Sequence, residues 1–326
     1  MAGSLFISNF NNTKIEAPMN KKTNSYLLFF LRLAIFIFTL FVLDGVTGSL
    51  LRHYYFTQNS GSMYRTTYSM ESATNDIIIF GTSRATHHYK PEVFERMLGM
   101  TCYNAGKDGT QILYHYAVLE SVLKRYTPKI IILDISLKEV LKSDENYDWL
   151  SSLLPYYKKH PEIRPVVDLK SYFEKYKLIS STYPFNSAIL TIAKSNGITS
   201  AEKGKKGYLP LEKEWKEPLT TDIPRRPEKI DSVKLHYFEK FIEDCKKANT
   251  RLYVMFSPIY IRYGQPPVSL VTIKGICEHN HIPFYDYSKS IEFLSNPSLF
   301  QDRSHMNDKG ATIYSEKVAS EIKSSL

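Results

Sequence analysis

The feature that most constrains this chain is a short apolar run that ends abruptly in glycine, threonine and serine. Residues 77–80 read IIIF without a polar interruption, which is typical of a parallel strand covered on both faces. Gly81, Thr82 and Ser83 follow, and the polar residues after them indicate that a helix begins at the carboxyl end of the strand. Ligands bind at that edge of open α/β sheets. The run therefore predicts a site at Ser83, although an ordinary serine or threonine cap would give the same letters.

The chain beyond residue 75 repeats this alternation of strand and helix. Predicted strands lie at 101–106, 129–135, 251–256 and 282–286, and predicted helices at 91–100, 111–126, 227–248, 269–280 and 309–322. Strands that alternate with helices at this spacing indicate βαβ units and a mostly parallel sheet. We therefore expect an α/β fold, a three-layer sandwich of the flavodoxin-like type with a mostly parallel central sheet.

A second apolar segment lies near the amino terminus. Residues 26–43 are apolar except for Arg32, and these 18 residues with their flanks are long enough to cross a bilayer. Arg32 lies near the amino-terminal end, where its side chain can reach the interface beside Lys21 and Lys22. The positive-inside rule then puts the amino terminus in the cytoplasm. The sequence predicts a single-pass protein of the cell membrane with an extracytoplasmic carboxy-terminal domain.

A cleaved signal peptide is the competing interpretation of this segment. The apolar core is longer than the ~7–15 residues of a signal sequence, and residues 46–48 make a poor cleavage site. We therefore favour a signal anchor. The predicted organisation is a cytoplasmic tail (1–25), a transmembrane anchor (26–48), a juxtamembrane stalk (49–74) and a main domain (75–326) with an insertion at about 136–227.

The insertion has no convincing periodicity. It is rich in tyrosine, lysine and proline, and so long an irregular stretch in a compact domain is typical of a functional loop. We interpret it as a lid or substrate-binding segment that contains a helix at 167–178. Its basic residues Lys203, Lys205 and Lys206 fit a solvated loop, with contact to an anionic polymer as the alternative.

Charge and cysteine content restrict the partners. The formal net charge is +9, but the 42 basic residues are dispersed among 33 acidic ones, and no nucleic-acid motif is present. The excess favours anionic envelope surfaces or lipid headgroups over nucleic acid. Cys102, Cys245 and Cys277 lack metal-ligand spacing and fit small buried apolar residues, and spacing alone does not support a Cys245–Cys277 disulfide. We expect neither a metal nor a cofactor.

A second polar cluster precedes the last predicted helix. Asp302 and His305 are three residues apart, and within one turn this offset lets the carboxylate approach the imidazole Nδ1. The Nε2 atom then faces outward as a base. Each residue alone fits a loop carboxylate or a surface histidine. Together with Ser83 at a strand end, they are the groups that serine acyl chemistry requires.

Three short blocks of the sequence resemble those of the SGNH (GDSL-type) hydrolase superfamily. They are Gly81-Thr82-Ser83, Asn104-Ala105-Gly106 and Asp302-Arg303-Ser304-His305. The resemblance covers roughly residues 75–140 and 230–326. With an amino-terminal anchor, the layout is similar to the membrane-anchored branch, which includes the D-alanyl transfer proteins of teichoic acid modification and the proteins that O-acetylate alginate and peptidoglycan.

The resemblance implies a role for each matched residue. Ser83 would be the nucleophile, His305 the base that takes its proton, and Asp302 the group that orients the imidazolium. The oxyanion hole of the family uses the nucleophile's own N–H, a glycine N–H and an asparagine side chain. The glycine would be Gly106, and the amide would be that of Asn104.

The third block departs from the family pattern. The strand at 129–135 ends in Asp134 without the Gly-x-Asn-Asp signature, and an ionised Asp134 would repel an oxyanion. Gly109 is a second choice for the glycine donor. Loss of one donor costs about 3 kcal/mol, or ~10²–10³-fold in rate. We therefore expect either a replacement donor or a slower, partner-dependent enzyme.

The resemblance implies an extracytoplasmic serine esterase or O-acyltransferase that acts on an acyl group, acetyl above all, of a cell-envelope polysaccharide through an acyl-serine intermediate. A multi-span membrane acyltransferase would be the partner of a transferase. The alternative, which the missing third-block asparagine favours, is a non-catalytic scaffold of the same shape that binds glycan or such a partner. A lipase or thioesterase is the third choice, since the Lys- and Tyr-rich insertion suits a polar substrate better than an acyl channel.

Overall fold

A five-stranded parallel sheet forms the centre of the main domain. The computed structural model describes residues 24–142, 147–197, 206–222 and 228–326. The strands are β1 (Ile77–Gly81), β2 (Cys102–Asn104), β3 (Ile130–Asp134), β4 (Thr220–Asp222), β5 (Arg251–Phe256), β6 (Ile261–Tyr263) and β7 (Phe284–Asp286). The central order is β2-β1-β3-β5-β7 with every neighbouring pair parallel, and β4 pairs with β6 in a small second sheet. The predicted α/β fold with a mostly parallel sheet is confirmed.

Helices connect the strands and precede the sheet. They are α1 (Ser25–Phe56), α2 (Gly61–Glu71), α3 (Ser83–His88), α4 (Pro91–Leu98), α5 (Ile112–Leu123), α6 (Arg164–Val167), α7 (Glu174–Lys177), α8 (Ile189–Gly197), α9 (Ser232–Lys247), α10 (Val268–His279), α11 (Ile291–Leu294) and α12 (Asp308–Ser325). Short 3-10 turns occur within the insertion, at Asp148–Tyr156, Pro161–Ile163, Asp168–Lys170 and Tyr183–Ala188. The helices predicted after β1, β2, β5 and β7 all form.

Helices cover both faces of the sheet. In β1, Ile78 and Phe80 belong to a core shared with α5, α9 and α10, whereas Ile77 and Ile79 belong to a core shared with α4 and α12. This division follows from the alternation of side chains along a strand. Both sets are apolar because both faces are covered, which explains the uninterrupted run. The three layers predicted from the sequence are therefore present.

The amino-terminal apolar segment forms one long, exposed helix. α1 contains 32 residues and has a mean hydropathy of 2.5 over its most apolar stretch. Of the helices in the described ranges, it is the one long and apolar enough to cross a membrane. Residues 1–23, which make up nearly all of the predicted cytoplasmic tail, lie outside the described residues.

The segment interpreted as a juxtamembrane stalk, residues 49–74, is largely helical and packed. It holds the last two turns of α1 and all of α2. Tyr55 is buried in α1 with its ring against those of Tyr156 and Phe185, and α2 packs on α5. α1 therefore continues without a break from the apolar segment into the folded domain.

The first half of the insertion consists of short helical turns. The helix expected at 167–178 is divided into the end of α6, the 3-10 turn Asp168–Lys170 and α7. Ser171 interrupts it, because its backbone is extended, with φ at −166° and ψ at 143°. These turns pack on the α5 side of the sheet.

The second half of the insertion returns to the start of α3. Leu209 N donates to the Thr86 carbonyl over 3.0 Å, and β4 follows a few residues later. In the basic cluster, Lys203 and Lys205 lie outside the described residues, while Lys206 forms an ion pair with Glu95. This half of the insertion therefore reaches the same sheet edge as Ser83.

Candidate active site

Ser83 lies in the first turn of α3, directly after the carboxyl end of β1. The turn requires Gly81, whose φ of +147° is a conformation that L side chains rarely adopt. A Cβ atom at this position would lie 2.6 Å from the carbonyl oxygen of Asp134. Close packing of β1 against the end of β3 therefore selects glycine, and the sharp turn leaves Ser83 at the edge of the sheet.

Ser83, His305 and Asp302 form a continuous hydrogen-bonded chain. The Ser83 Oγ atom lies 2.7 Å from His305 Nε2. On the other side of the ring, His305 Nδ1 lies 2.9 Å from Asp302 Oδ2 and 3.0 Å from Oδ1. An ionised Asp302 makes Nδ1 the protonated nitrogen, so Nε2 is free to accept the serine proton. The fold thus joins a serine and a histidine that are 222 positions apart.

The loop before α12 holds the Asp302 carboxylate. Its Oδ1 atom accepts hydrogen bonds from the backbone N–H of Ser304 at 2.7 Å and of His305 at 3.0 Å. Burial raises the pKa of Asp302, but the hydrogen bonds from His305 and Ser304 outweigh burial and bring that pKa below its ordinary value. The carboxylate therefore remains ionised at neutral pH and keeps the His305 ring oriented.

A second histidine holds the other end of this loop. Nε2 of the buried His88 accepts a hydrogen bond from Met306 N at 2.9 Å, and its Nδ1 lies 3.1 Å from Ser257 Oγ. Burial, together with the positive charge of Arg84, keeps the pKa of His88 well below its ordinary value. The ring is therefore neutral with its proton on Nδ1. It fixes the residue after His305 without adding charge to the site.

Asp134, the departure from the third block, does not line the site. It is fully buried and accepts hydrogen bonds from Tyr89 OH at 2.8 Å, Ser257 N at 2.9 Å and Ser257 Oγ at 3.1 Å. Arg84 Nε lies 3.7 Å from Oδ2. Burial raises the pKa of Asp134, against the opposing effect of Arg84 and these hydrogen bonds. The expectation that Asp134 would repel an oxyanion is wrong, because its partners enclose the carboxyl group.

Two of the oxyanion donors expected from the sequence are engaged elsewhere. The amide nitrogen of the buried Asn104 donates to the carbonyls of Ala85 at 2.7 Å and Tyr89 at 2.9 Å. Its Oδ1 atom accepts from Gly106 N at 2.9 Å. Neither Asn104 nor Gly106 therefore has its donor directed at Ser83. This corrects their assignment to the oxyanion hole, and their role here is to tie the end of β2 to α3.

An open cleft of about 460 Å³ lies beside the triad. Three segments contribute to its wall. The first is the loop before α5 (Gly109, Thr110 and Gln111), the second is the loop after β3 (Ser136, Leu137 and Lys138), and the third is the segment around β6 (Ile259, Ile261 and Tyr263). Both hydroxyl and apolar groups face the cleft. It can therefore hold a polar substrate whose acyl group reaches Ser83.

Gln111 is a cleft residue that sequence reasoning missed. It is buried at the N-cap of α5, and its Oε1 atom has no hydrogen-bond partner among the described residues. Gln111 lines the cleft, and a buried acceptor without a partner is costly to the fold. The signal that could have found it is its position two residues after Gly109, in the loop of the second block.

Other side chains that could bind a metal or react are dispersed. Within the part of the chain that the structure describes, no group of three or more His, Cys, Asp or Glu is arranged to hold a metal ion. The three cysteines are buried and unbridged, and burial raises the pKa of the Cys245 thiol. Such thiols are poor nucleophiles at neutral pH. Ser83, by contrast, has an unprotonated histidine nitrogen, His305 Nε2, 2.7 Å from its hydroxyl.

The arrangement of the site follows the resemblance seen in the sequence. A serine follows the first strand of a parallel α/β sheet and meets an Asp-x-x-His loop that precedes the last helix. Two of the three sequence blocks that resemble the SGNH hydrolases, those of Ser83 and His305, therefore meet at one site.

Three solved structures are similar to this chain. A psychrotrophic esterase EstA from Pseudoalteromonas sp., inhibited by monoethylphosphonate, has a TM-score of 0.40 and 12% identity, over 76% of this chain and 96% of that one. An acetyl xylan esterase, AlAXEase, has a TM-score of 0.38 and 13% identity, over 77% and 99%. A protein of Desulfitobacterium hafniense DCB-2, described as lipolytic and of the G-D-S-L family, has a TM-score of 0.36 and 9% identity, over 76% and 99%.

At these TM-scores and identities, no activity transfers from these three proteins to this chain. No protein-family model matches the sequence, and no curated protein matches it. The chemistry of the site therefore has to be derived from its own residues.

Proposed function

We propose that this chain is a serine esterase or O-acyltransferase that acts outside the cytoplasm on the O-linked acyl groups, acetyl above all, of a cell-envelope polysaccharide. The observation that carries the proposal is the 2.7 Å contact between Ser83 Oγ and His305 Nε2, completed by Asp302 at 2.9 Å from Nδ1. A hydroxyl paired with a histidine base that a carboxylate orients is the arrangement of nucleophilic acyl chemistry.

The reaction has two halves. Ser83 Oγ attacks the acyl carbonyl carbon while His305 Nε2 takes the hydroxyl proton. The bond from the acyl carbon to the donor oxygen then breaks, and the departing oxygen receives that proton. In the second half, water or a sugar hydroxyl attacks the acyl-serine and gives its proton to His305, which returns it to Ser83 Oγ as the ester breaks. Water makes the chain an esterase, and a sugar hydroxyl makes it a transferase.

Two groups near the nucleophile are suited to stabilise the oxyanion. The backbone N–H of Ser83 is one, as the resemblance implies. The side-chain Nε2 of Gln111 is the other, because Gln111 lines the same cleft and an amide N–H can donate to an oxyanion. Gln111 would replace the donors that Asn104 and Gly106 do not supply. A preorganised donor of this kind is worth ~10²–10³-fold in rate.

The location and the substrate class rest on the anchor and the cleft. α1 is long and apolar enough to span a membrane, and Lys21 and Lys22 precede it. The positive-inside rule favours a domain on the outer side, where envelope polysaccharides are found. If the chain is a transferase, its acyl donor would be supplied by a multi-span membrane acyltransferase, because an activated acyl group has to reach the outer side.

The test is covalent labelling of the full-length chain in detergent micelles with a fluorophosphonate, together with acetate release from a chromogenic acetyl ester. We expect labelling of the wild type, none in Ser83→Ala, and a rate that is lower by at least about 10³-fold in His305→Ala. Ser320→Ala is the matched control, because this exposed hydroxyl on α12 bonds only its own helix at the Glu316 carbonyl. Acetate release that persists in Ser83→Ala would contradict the proposal.

A non-catalytic scaffold is the second candidate, and one observation favours it. The Asn104 and Gly106 donors are engaged elsewhere, so the oxyanion hole implied by the resemblance is incomplete. On this alternative, the wild type would neither label nor release acetate. Envelope acylation in cells would then be unchanged by Ser83→Ala, whereas it would be lost on deletion of the chain.

A further inference from the structure

Six large apolar side chains of the insertion are exposed. Each has between 41% and 85% of its surface in solvent, and they are Tyr172, Phe173, Tyr176, Ile179, Ile189 and Leu190. We call these six residues the insertion patch. Single exposed apolar residues are ordinary, but six of them within residues 172–190 give this segment far more exposed apolar surface than a solvated loop needs.

The patch is attached to α1 by a cluster of hydrogen bonds at Asp44. The Asp44 carboxylate accepts from Ser180 Oγ and Ser181 N, both at 2.6 Å, and from Thr182 N at 3.2 Å. Gly48, one turn further along α1, lies so close that a Cβ atom on it would meet the Ser181 backbone at 2.5 Å. Residues 180–182 follow Ile179 directly and lie seven positions before Ile189. The middle of the segment that carries the patch is therefore held at the level of Asp44 on α1.

That level is the end of the apolar segment. Asp44 is the residue that follows the apolar segment at 26–43. At 1.5 Å per residue this segment is roughly 27 Å long, close to the thickness of the hydrocarbon core of a bilayer, ~30 Å. When the segment spans the membrane, Asp44 lies at the interface, and the segment that carries the patch lies there with it.

The composition of the patch suits this depth. Tyrosine is favoured at the interface between lipid and water, where its apolar ring and its hydroxyl are both satisfied. Lys175 lies among them, with its Nζ atom 5.7 Å from the ring centroid of Tyr172 and 5.1 Å from that of Tyr176. A lysine beside interfacial aromatic rings is attracted to anionic headgroups.

We propose that the insertion patch is immersed in the headgroup region of the same bilayer leaflet from which α1 emerges. The occupant of the patch is lipid, and the contact holds the domain in one orientation relative to the membrane. This inference depends on the single-pass anchor of the proposed function but not on the chemistry of Ser83. The insertion is thereby a membrane-facing element as well as part of the domain around the cleft.

The test measures the depth of a fluorescent probe on the full-length chain in nanodiscs of phosphatidylcholine and phosphatidylglycerol. An environment-sensitive thiol probe is placed at Leu190→Cys, and nitroxide-labelled lipids with the spin label at the headgroup or deep in the chain are added. The native cysteines are buried and do not compete for the label. Phe36→Cys, in the middle of the apolar segment, reports insertion of α1 itself.

Ile291→Cys is the matched control. Ile291 is also a large exposed apolar residue, at 80%, but it lies in α11, whose Phe293 packs in the core on the opposite face of the sheet from the first half of the insertion. We expect the Leu190 probe to lose emission strongly with the headgroup nitroxide, the Phe36 probe to lose it with the deep nitroxide, and the Ile291 probe to keep its emission.

Each other result overturns the inference. If the Phe36 probe is quenched and the Leu190 probe behaves like the Ile291 probe, the patch is not in lipid. Because the discs hold only this chain and lipid, a patch that normally binds a partner protein would give this result. A crosslink between two Leu190→Cys chains without quenching would identify a second copy as the occupant. If no probe is quenched, the anchor itself is wrong, while fluorophosphonate labelling of Ser83 still tests the chemistry separately.

Discussion

At the scale of single residues, the chemistry depends on how the carboxylate of Asp302 holds His305. Asp302→Asn keeps the shape of the side chain but presents an amide that can no longer stabilise the protonated ring. We expect kcat for acetyl ester hydrolysis to fall by ~10³–10⁴-fold with little change in KM. The measurement is steady-state hydrolysis, with Asp168→Asn, an exposed aspartate of the insertion, as control. A loss of less than tenfold would mean that the His305 ring is oriented without Asp302.

Gln111 gives a second prediction at this scale. Gln111→Ala removes the amide from the cleft wall, and we expect kcat to fall by ~10²–10³-fold if that amide stabilises the oxyanion. Gln111→Glu keeps the size but adds a negative charge beside the developing oxyanion, so its kcat should fall at least as far. A purely structural role would instead lower the unfolding temperature of Gln111→Ala and leave Gln111→Glu nearly as active as the wild type.

A third residue, Glu139, makes the stability depend on pH. It is fully buried, with Oε1 3.4 Å from His115 Nε2, and burial raises the pKa of Glu139 to about 7. The unfolded chain loses this proton near the ordinary pKa while the folded chain keeps it, so the contribution of Glu139 to stability falls as pH rises from about 4.5 to about 7 and is level above.

Glu139→Gln should remove this slope. Relative to the wild type, its free energy of unfolding is expected to increase by up to about 3 kcal/mol between pH ~5 and pH ~8. Thermal unfolding of the full chain at the two pH values measures it. Glu239→Gln, on the exposed face of α9, should show no such difference. A parallel pH dependence of Glu139→Gln and wild type would mean that Glu139 is ionised in the folded state.

At the scale of elements, α1 packs against residues 180–182 of the insertion, and two glycines of α1 test this contact. A Cβ at Gly48 would collide with the Ser181 backbone at 2.5 Å, whereas a Cβ at Gly45 meets nothing within 4 Å. Alanine at either position favours the helix by itself. Gly48→Ala should therefore separate the insertion from α1 and speed amide exchange at 180–190, while Gly45→Ala leaves it slow. Equal rates of amide exchange at 180–190 in the two variants would show that α1 and the insertion are not closely packed at Gly48.

Elements also show where local sequence reasoning was sufficient. The uninterrupted apolar runs of β1 and β3 predicted buried parallel strands, because the cause of the pattern is burial on both faces. The prediction of one helix at 167–178 was wrong, because the interruption of that helix has no cause in the local pattern. Ser171 adopts an extended backbone, and no periodicity of that stretch reveals it.

For the whole molecule, the sequence also named residues whose roles only the fold could assign. Asn104 ends β2, yet its amide donates to the carbonyls of Ala85 in α3 and of Tyr89 just after it. Asp134 ends β3, yet Arg84, Tyr89 and Ser257 enclose it. These partners are 15 to 123 positions away in the chain, so spacing alone could not have indicated them.

By itself, the sequence determined the parallel α/β sheet, the long apolar amino-terminal segment, and a Ser and an Asp-x-x-His in the right order for acyl chemistry. Each of these features follows from local periodicity, hydropathy or short spacing, which depend on residues that are neighbours along the chain. Only the tertiary structure decided that Ser83 meets His305, that Gln111 lines the cleft while the Asn104 amide is engaged elsewhere, and that the insertion is attached to α1 at Asp44. Those contacts arise from the packing of distant segments, which no local pattern records.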